Sequence, residues 1–177
     1  MANQQQLMAV FSFLLLLALA STSVAADEEN SYAETKIDVA VEGTVYCQGC
    51  THHGTWSLAD AKPIPGAKVS IICKDYKNRV SFYKVCTTDK EGYFYEALQG
   101  FTLKHIILDH PLHGCTVHPV SSSLPNCRLV TNVNYGLDGA PFRYEDKRLF
   151  GTNYEVVVYT AGPLAFRPAH CPPKSHY

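Results

Sequence analysis

Apolar and polar residues alternate with period two in several short runs, and such runs predict β-strands. In residues 37–47, Ile37, Val39, Val41, Val45 and Cys47 fall on one face, with Gly43 in the same register. In residues 68–74, Val69, Ile71 and Cys73 share one face, and Lys68, Ser70, Ile72 and Lys74 take the other. Residues 80–88 predict a further strand, and Asp89-Lys-Glu-Gly92 a tight turn closed by glycine. Residues 93–98 resume the strand, with Phe94, Glu96 and Leu98 on one face and Tyr93 and Tyr95 on the other. Residues 103–109 and 115–120 are shorter candidates, and residues 154–160 form the clearest late strand. Residues 51–54 read as loop, residues 56–62 as one helical turn, and residues 134–151, weakly patterned throughout, as loop. Short strands separated by Gly, Pro and Asn/Asp turns predict an all-β fold, an antiparallel β-sandwich or small barrel.

The first residues follow a different pattern. Residues 7–20 are apolar except for Ser12, a run of 14. That suits the hydrophobic region of a secretory signal peptide and is too short to span a bilayer. Small residues follow, with Val24 and Ala26 offering a cleavage pair before Asp27, although residues 1–6 carry no Lys or Arg. The organisation expected is a signal peptide at 1–26, an acidic leader at 27–36, one domain at 37–172 and a tail at 173–177. The expected destination is the extracellular space, with no membrane span.

An oxidising compartment changes the reading of the cysteines. Cys47 and Cys50 would suggest zinc or a redox pair in the cytosol, but the start of a disulfide framework in a secreted chain. Seven cysteines (47, 50, 73, 86, 115, 127 and 171) leave one over when six pair, and six allow 15 connectivities.

Charge refines the function classes. The net charge of −1 conceals an acidic leader; from residue 37 onward 14 Lys/Arg oppose 12 Asp/Glu, a net of +2, with eight histidines besides. Histidine titrates near ~6.5, so an acidic exterior would make the domain more cationic and suited to a polyanion. Lys62, Lys68, Lys74, Lys77, Arg79, Lys84 and Lys90 place seven cations in 29 residues against Asp75 and Asp89. Lys68, Lys74, Lys77, Arg79, Tyr93 and Tyr95 form the candidate glycan-binding set: rings stack on sugar faces while cations meet uronate carboxylates.

Other chemistry is less well supported. His52 and His53 follow Cys50, and His105, His110, His113 and His118 cluster, but the spacing matches no zinc motif and oxidised cysteines are not ligands. Asp89 and Glu91 are two neighbouring carboxylates, as a glycosidase requires, but they sit where a polar hairpin turn places them. Ser121 to Ser123 lack a nucleophile elbow. The expectation is therefore no catalytic residue, no metal, no cofactor and no nucleic-acid partner.

Tyr46-Cys-Gln-Gly-Cys50, Pro65-Gly-Ala67, Thr88-Asp-Lys-Glu-Gly-Tyr-Phe94 and Gly162-Pro-Leu-Ala-Phe-Arg-Pro168 with Cys171-Pro172 carry a resemblance. They resemble the plant pollen Ole e I-like family, and more closely the cysteine-containing module (PAC domain) of arabinogalactan and extensin-like cell-wall proteins. The order of turns and apolar residues is also shared with transthyretin-like sandwiches. The resemblance implies the pairs Cys47–Cys127, Cys50–Cys171 and Cys73–Cys115, leaving Cys86 a free thiol. It also implies a secreted, non-enzymatic cell-wall protein that binds polysaccharides (pectin, galactan, arabinogalactan) and contributes to wall assembly. The alternatives are a protein ligand or cofactor for a receptor and, more remotely, a glycan-active enzyme. Family members of the arabinogalactan type carry a long Pro- and His-rich region before this module; here an acidic leader stands in its place, and no Asn-x-Ser/Thr sequon occurs.

Overall fold

The computed structural model describes residues 36–101, 110–152 and 154–171. The expected signal peptide, the acidic leader except Lys36, the strand candidate at 103–109 and the tail at 173–177 lie outside the described residues.

The long first strand, β1 (Lys36–Cys47), carries Val39, Val41, Thr44 and Val45, β-branched residues suited to a strand with a buried face, on which Val41 and Val45 are inaccessible. It is followed in the chain by β2 (Lys62–Pro63), β3 (Lys68–Lys74), β4 (Val80–Thr87) and β5 (Tyr93–Ala97). A single helical turn, α1 (Pro111–Gly114), leads into β6 (Cys115–Ser121), β7 (Leu129–Val130), β8 (Ala140–Pro141), β9 (Arg143–Phe150), β10 (Tyr154–Thr160) and β11 (Leu164–Arg167). One sheet runs β7-β11-β1-β10-β9, and β2 and β5 also pair antiparallel with β1. The other runs β4-β3-β6-β8.

The two sheets form a sandwich, and the core lies between their inner faces. Val41, Val45, Phe94, Leu164 and Phe166 come from the first sheet, and Val69, Ile71, Cys73 and Val117 from the second, all essentially inaccessible. The alternation in β5 is therefore core against surface, whereas β3 also buries Ser70 on its other face. Gly43 allows the closest approach: a Cβ there would lie 2.2 Å from the Ala161 carbonyl and 2.7 Å from the Phe94 ring.

Three disulfides close the structure: Cys47–Cys127, Cys50–Cys171 and Cys73–Cys115, spanning 80, 121 and 42 residues. Constraining loops of this length in the unfolded chain contributes about 4–5 kcal/mol each in the chain-entropy model, with non-additive totals. Cys86 is unpaired and partly buried.

Three features differ from the sequence reading. β1 pairs in parallel with β10 and β11, where an antiparallel arrangement was expected. Residues 134–151, expected as loop, contain β8 and β9. β9 is an exposed edge strand of charged residues, and a register shift in its pairing with β10, with Asp146 at φ 57°, interrupts the period-two signal. Residues 56–62 form no helical turn: Asp60 adopts φ 58°, and Lys62 and Pro63 pair with Cys47 and Tyr46. A 3-10 turn lies earlier, at Cys50–His52.

Candidate functional site

The six candidate glycan-binding residues do not form one patch. Lys68 stands at the start of β3, and Lys74 at its end, about 20 Å away for seven residues of extended chain. Lys77 and Arg79 lie in the turn between β3 and β4, near Lys74, while Tyr93 and Tyr95 are on β5 in the other sheet.

Each group has a different local environment. Tyr93 Oη donates to Glu42 Oε2 at 2.7 Å, and Lys147 Nζ donates to the same carboxylate at 2.6 and 2.9 Å. Burial, then the Glu42 contact, pushes the Tyr93 phenol pKa up; burial and Glu42 also raise that of Tyr95. An acidic sugar on these rings would meet Glu42. Arg79 is already engaged: its Nε and Nη2 donate to Asp75 Oδ2 at 2.9 and 2.7 Å. Asp75, with its side chain only 4% exposed, also accepts the Lys77 and Arg79 backbone N–H groups. The Arg79 hydrogen bond is the main reason its carboxyl titrates down at about 2. These two residues therefore shape the turn.

That turn forms one wall of an open groove of about 520 Å³. Ile72 lies along it; Lys74, Tyr76 and Asn78 line the turn side, with His113, Thr116, His118 and Asp138 opposite. The Tyr76 ring is 51% exposed, and Lys77 Nζ sits 5.3 Å from its centroid. Thr116 Oγ1 and His118 Nε2 are 3.0 Å apart. Burial, and secondarily the Lys74 charge, lowers the His118 pKa, so its imidazole stays neutral to lower pH than an ordinary histidine. Lys74 in the lining and Lys77 over the Tyr76 ring carry positive charge here, while Asp75, held by Arg79, and Asp138 also line the groove. Such a surface can hold a polyhydroxylated anion.

The groove contains Lys74 from the glycan-binding set, His113 and His118 from the histidine cluster weighed for metal, and Tyr76, Asn78 and Asp138, which the sequence did not single out. The local signal was Tyr76 within Lys74-Asp-Tyr-Lys-Asn-Arg79, where Asp and Asn favour a turn. The opposite wall arrives through β6 and the segment before β8, which no local pattern indicates.

Asp89, Ser122, Ser123 and His110 each have structural partners. Asp89 Oδ1 accepts the backbone N–H groups of Glu91 and Tyr93 at 3.0 and 2.9 Å, closing the turn into β5. Ser122 Oγ accepts from Leu124 N at 3.1 Å, and Ser123 donates to the Pro65 carbonyl. His110 packs edge-on against Tyr159 and lies 6.2 Å from the His113 ring; His105 lies outside the described residues. Among the described residues no three His, Cys, Asp or Glu side chains group so as to hold a metal ion, and no helix is long and apolar enough to cross a membrane. Burial, reinforced by Glu96, raises the Cys86 thiol pKa to about 11.

No family model matches the chain. It is 33% identical over 138 residues to non-classical arabinogalactan protein 30 of Arabidopsis thaliana, covering 76% of this chain and 54% of that protein. The crystal structure of the major plantain pollen allergen Pla l 1 aligns with 77% of this chain and 98% of its own, at 23% identity and a TM-score of 0.50, a likeness that shows the fold. The chain belongs to the pollen Ole e I-like family of plant proteins. A second relative within that wider group, the pistil-specific extensin-like protein of Nicotiana tabacum, is 34% identical over 99 residues, 56% of this chain and 21% of that protein. The chain thus spans about half or less of the length of these two relatives.

Proposed function

We propose that this Ole e I-like protein is secreted to the plant cell wall and acts there by binding acidic polysaccharides, without catalysis. Pectin is the substrate class that best suits the groove. The observation that carries the reading is the exposed Tyr76 ring, with Lys77 over it and Lys74 alongside, on a groove lined by His, Asn, Thr and Asp. The ring offers a stacking face for a pyranose, and the two lysines offer charge for uronate carboxylates. Disulfide bonding and relatives named arabinogalactan and extensin-like proteins support the extracellular assignment. Wall assembly during growth is the role in keeping with such binding.

The test is a glycan array probed with the mature domain at low and high salt, repeated with Lys74→Glu/Lys77→Glu. Binding to pectic fragments that weakens with salt and is clearly reduced in the variant is expected. Unchanged binding by the variant would remove the groove from the account.

A second reading, a ligand for an extracellular protein or receptor, is favoured by a different surface. At the β9–β10 end Leu149, Phe150 and Tyr154 are exposed, Phe150 to 75%, as protein-docking patches are. Phe150→Ser would weaken such a partner and leave glycan binding unchanged.

A further inference from the structure

Beyond the basic groove, the molecule displays a second aromatic feature. Trp56, the sole tryptophan, is 53% exposed, and Tyr135 is 51% exposed. Their rings meet at a centroid distance of 5.0 Å and an interplanar angle of 82°, forming a corner. Two such rings left half in solvent, instead of in the core, give a platform with an apolar face and polar edges.

The corner is held in place by its supports. Gln48, 1% exposed, donates through Nε2 to the Thr55 and Ser57 carbonyls at 3.0 and 2.8 Å, fixing the backbone on both sides of Trp56. Asn134 has φ 48°, a left-handed conformation Asn tolerates, and Tyr135 has φ 64°, which is unfavourable for a bulky aromatic residue. Asn134 Nδ2 donates to the Pro163 carbonyl at 2.8 Å and the Gly139 N–H to the Tyr135 carbonyl at 2.7 Å, so the segment is pinned in that shape. Strain of this kind, held by surrounding contacts, concentrates at binding sites.

Trp56 lines a cavity of about 250 Å³ together with Val133, Leu137, Asn132 and Arg167, and Tyr135 joins it through its edge-on contact with Trp56. This is below the roughly 300–1,000 Å³ that drug-sized ligands fill, and suits a single sugar ring. Its lining includes Arg167 and no carboxylate, and Arg167 forms no ion pair among the described residues. We propose that this corner binds one uronic acid residue of a glycan. The pyranose face stacks on Trp56, Tyr135 closes the side, and Arg167 meets the carboxylate. The site is separate from the Lys74–Tyr76 groove and does not depend on it.

Trp56 itself reports the test. The mature protein is titrated with tetragalacturonate, and with a neutral galactotetraose as control, following Trp56 emission and, in parallel, heat by calorimetry. A saturable emission change with the acidic sugar is expected, retained in Lys74→Glu/Lys77→Glu. Tyr135→Ala and Arg167→Gln should each weaken it about tenfold or more, while Arg167→Gln leaves any response to the neutral sugar unchanged. Matching unfolding midpoints for these variants and the wild type confirm that they fold. Heat of binding without an emission change, or wild-type affinity in both variants, would overturn the proposal and leave the groove reading intact. No binding by either readout overturns both. An emission change with a proline-rich peptide and none with the sugar overturns this one in favour of peptide docking.

Discussion

Single side chains here are set by what burial costs them. Cys86 lies partly buried near Glu96, and its thiol pKa of about 11 leaves little thiolate near neutrality. Native protein at pH ~8 should react with a thiol reagent far more slowly than protein in denaturant, at one equivalent per chain; rapid native reaction would contradict the burial. Asp75 works in the opposite direction. Its folded pKa, about 2 against an ordinary 3.8, means that its bonds to Arg79 and the turn contribute stability above 3.8. That contribution declines as pH falls through about 2, because the unfolded chain then holds the extra proton. Acid titration of stability should therefore be shallower between pH 4 and 2 in Asp75→Asn, which removes the linked proton, than in the wild type. Gly43→Ala would force a methyl against the Ala161 carbonyl, where backbone must move. A loss of at least about 1–3 kcal/mol in urea unfolding is expected.

At the scale of elements, the pairing of strands decided what the sequence could reveal. β5 buries Phe94 beside exposed Tyr95 and β3 exposes Lys68 and Lys74 around its core residues, so alternation disclosed them; β10 buries both Val158 and Tyr159, on opposite faces, and was legible as a run of β-branched and aromatic residues. β9 is exposed along its whole length and is interrupted by a register shift, so its charges resembled a loop. The parallel neighbours of β1 are more than a hundred residues away in the chain and leave no mark on the local pattern. The cysteines illustrate the same limit, since spacing alone left every connectivity open and only the family resemblance selected one. Of the proposed binding groove, the cationic run around Lys74 was legible; Tyr76 sharing that groove with His113 and His118 was not, because α1 and β6 bring those histidines in. The disulfide between β3 and β6, Cys73–Cys115, ties the groove's two walls together. Replacing both cysteines with Ser should cost about 2–5 kcal/mol of stability, measured by thermal unfolding.

At the scale of the whole molecule, a disulfide-closed sandwich presents polar grooves and aromatic side chains from several turns at once. Leu137 borders the aromatic corner and its neighbour Asp138 the basic groove, so the two surfaces flank one short segment. The family assignment explains the scaffold, and the surface chemistry proposes its use. The most direct measurement is calorimetric titration of the mature domain with oligogalacturonides at two ionic strengths, comparing wild type with Lys74→Glu/Lys77→Glu and Tyr76→Ala. The account predicts wild-type binding that weakens as salt shortens the Debye length below ~10 Å, a loss of about tenfold in Tyr76→Ala, about 1.4 kcal/mol, and a larger loss in the charge-reversed variant. Binding that is indifferent to salt and to all three substitutions would contradict it.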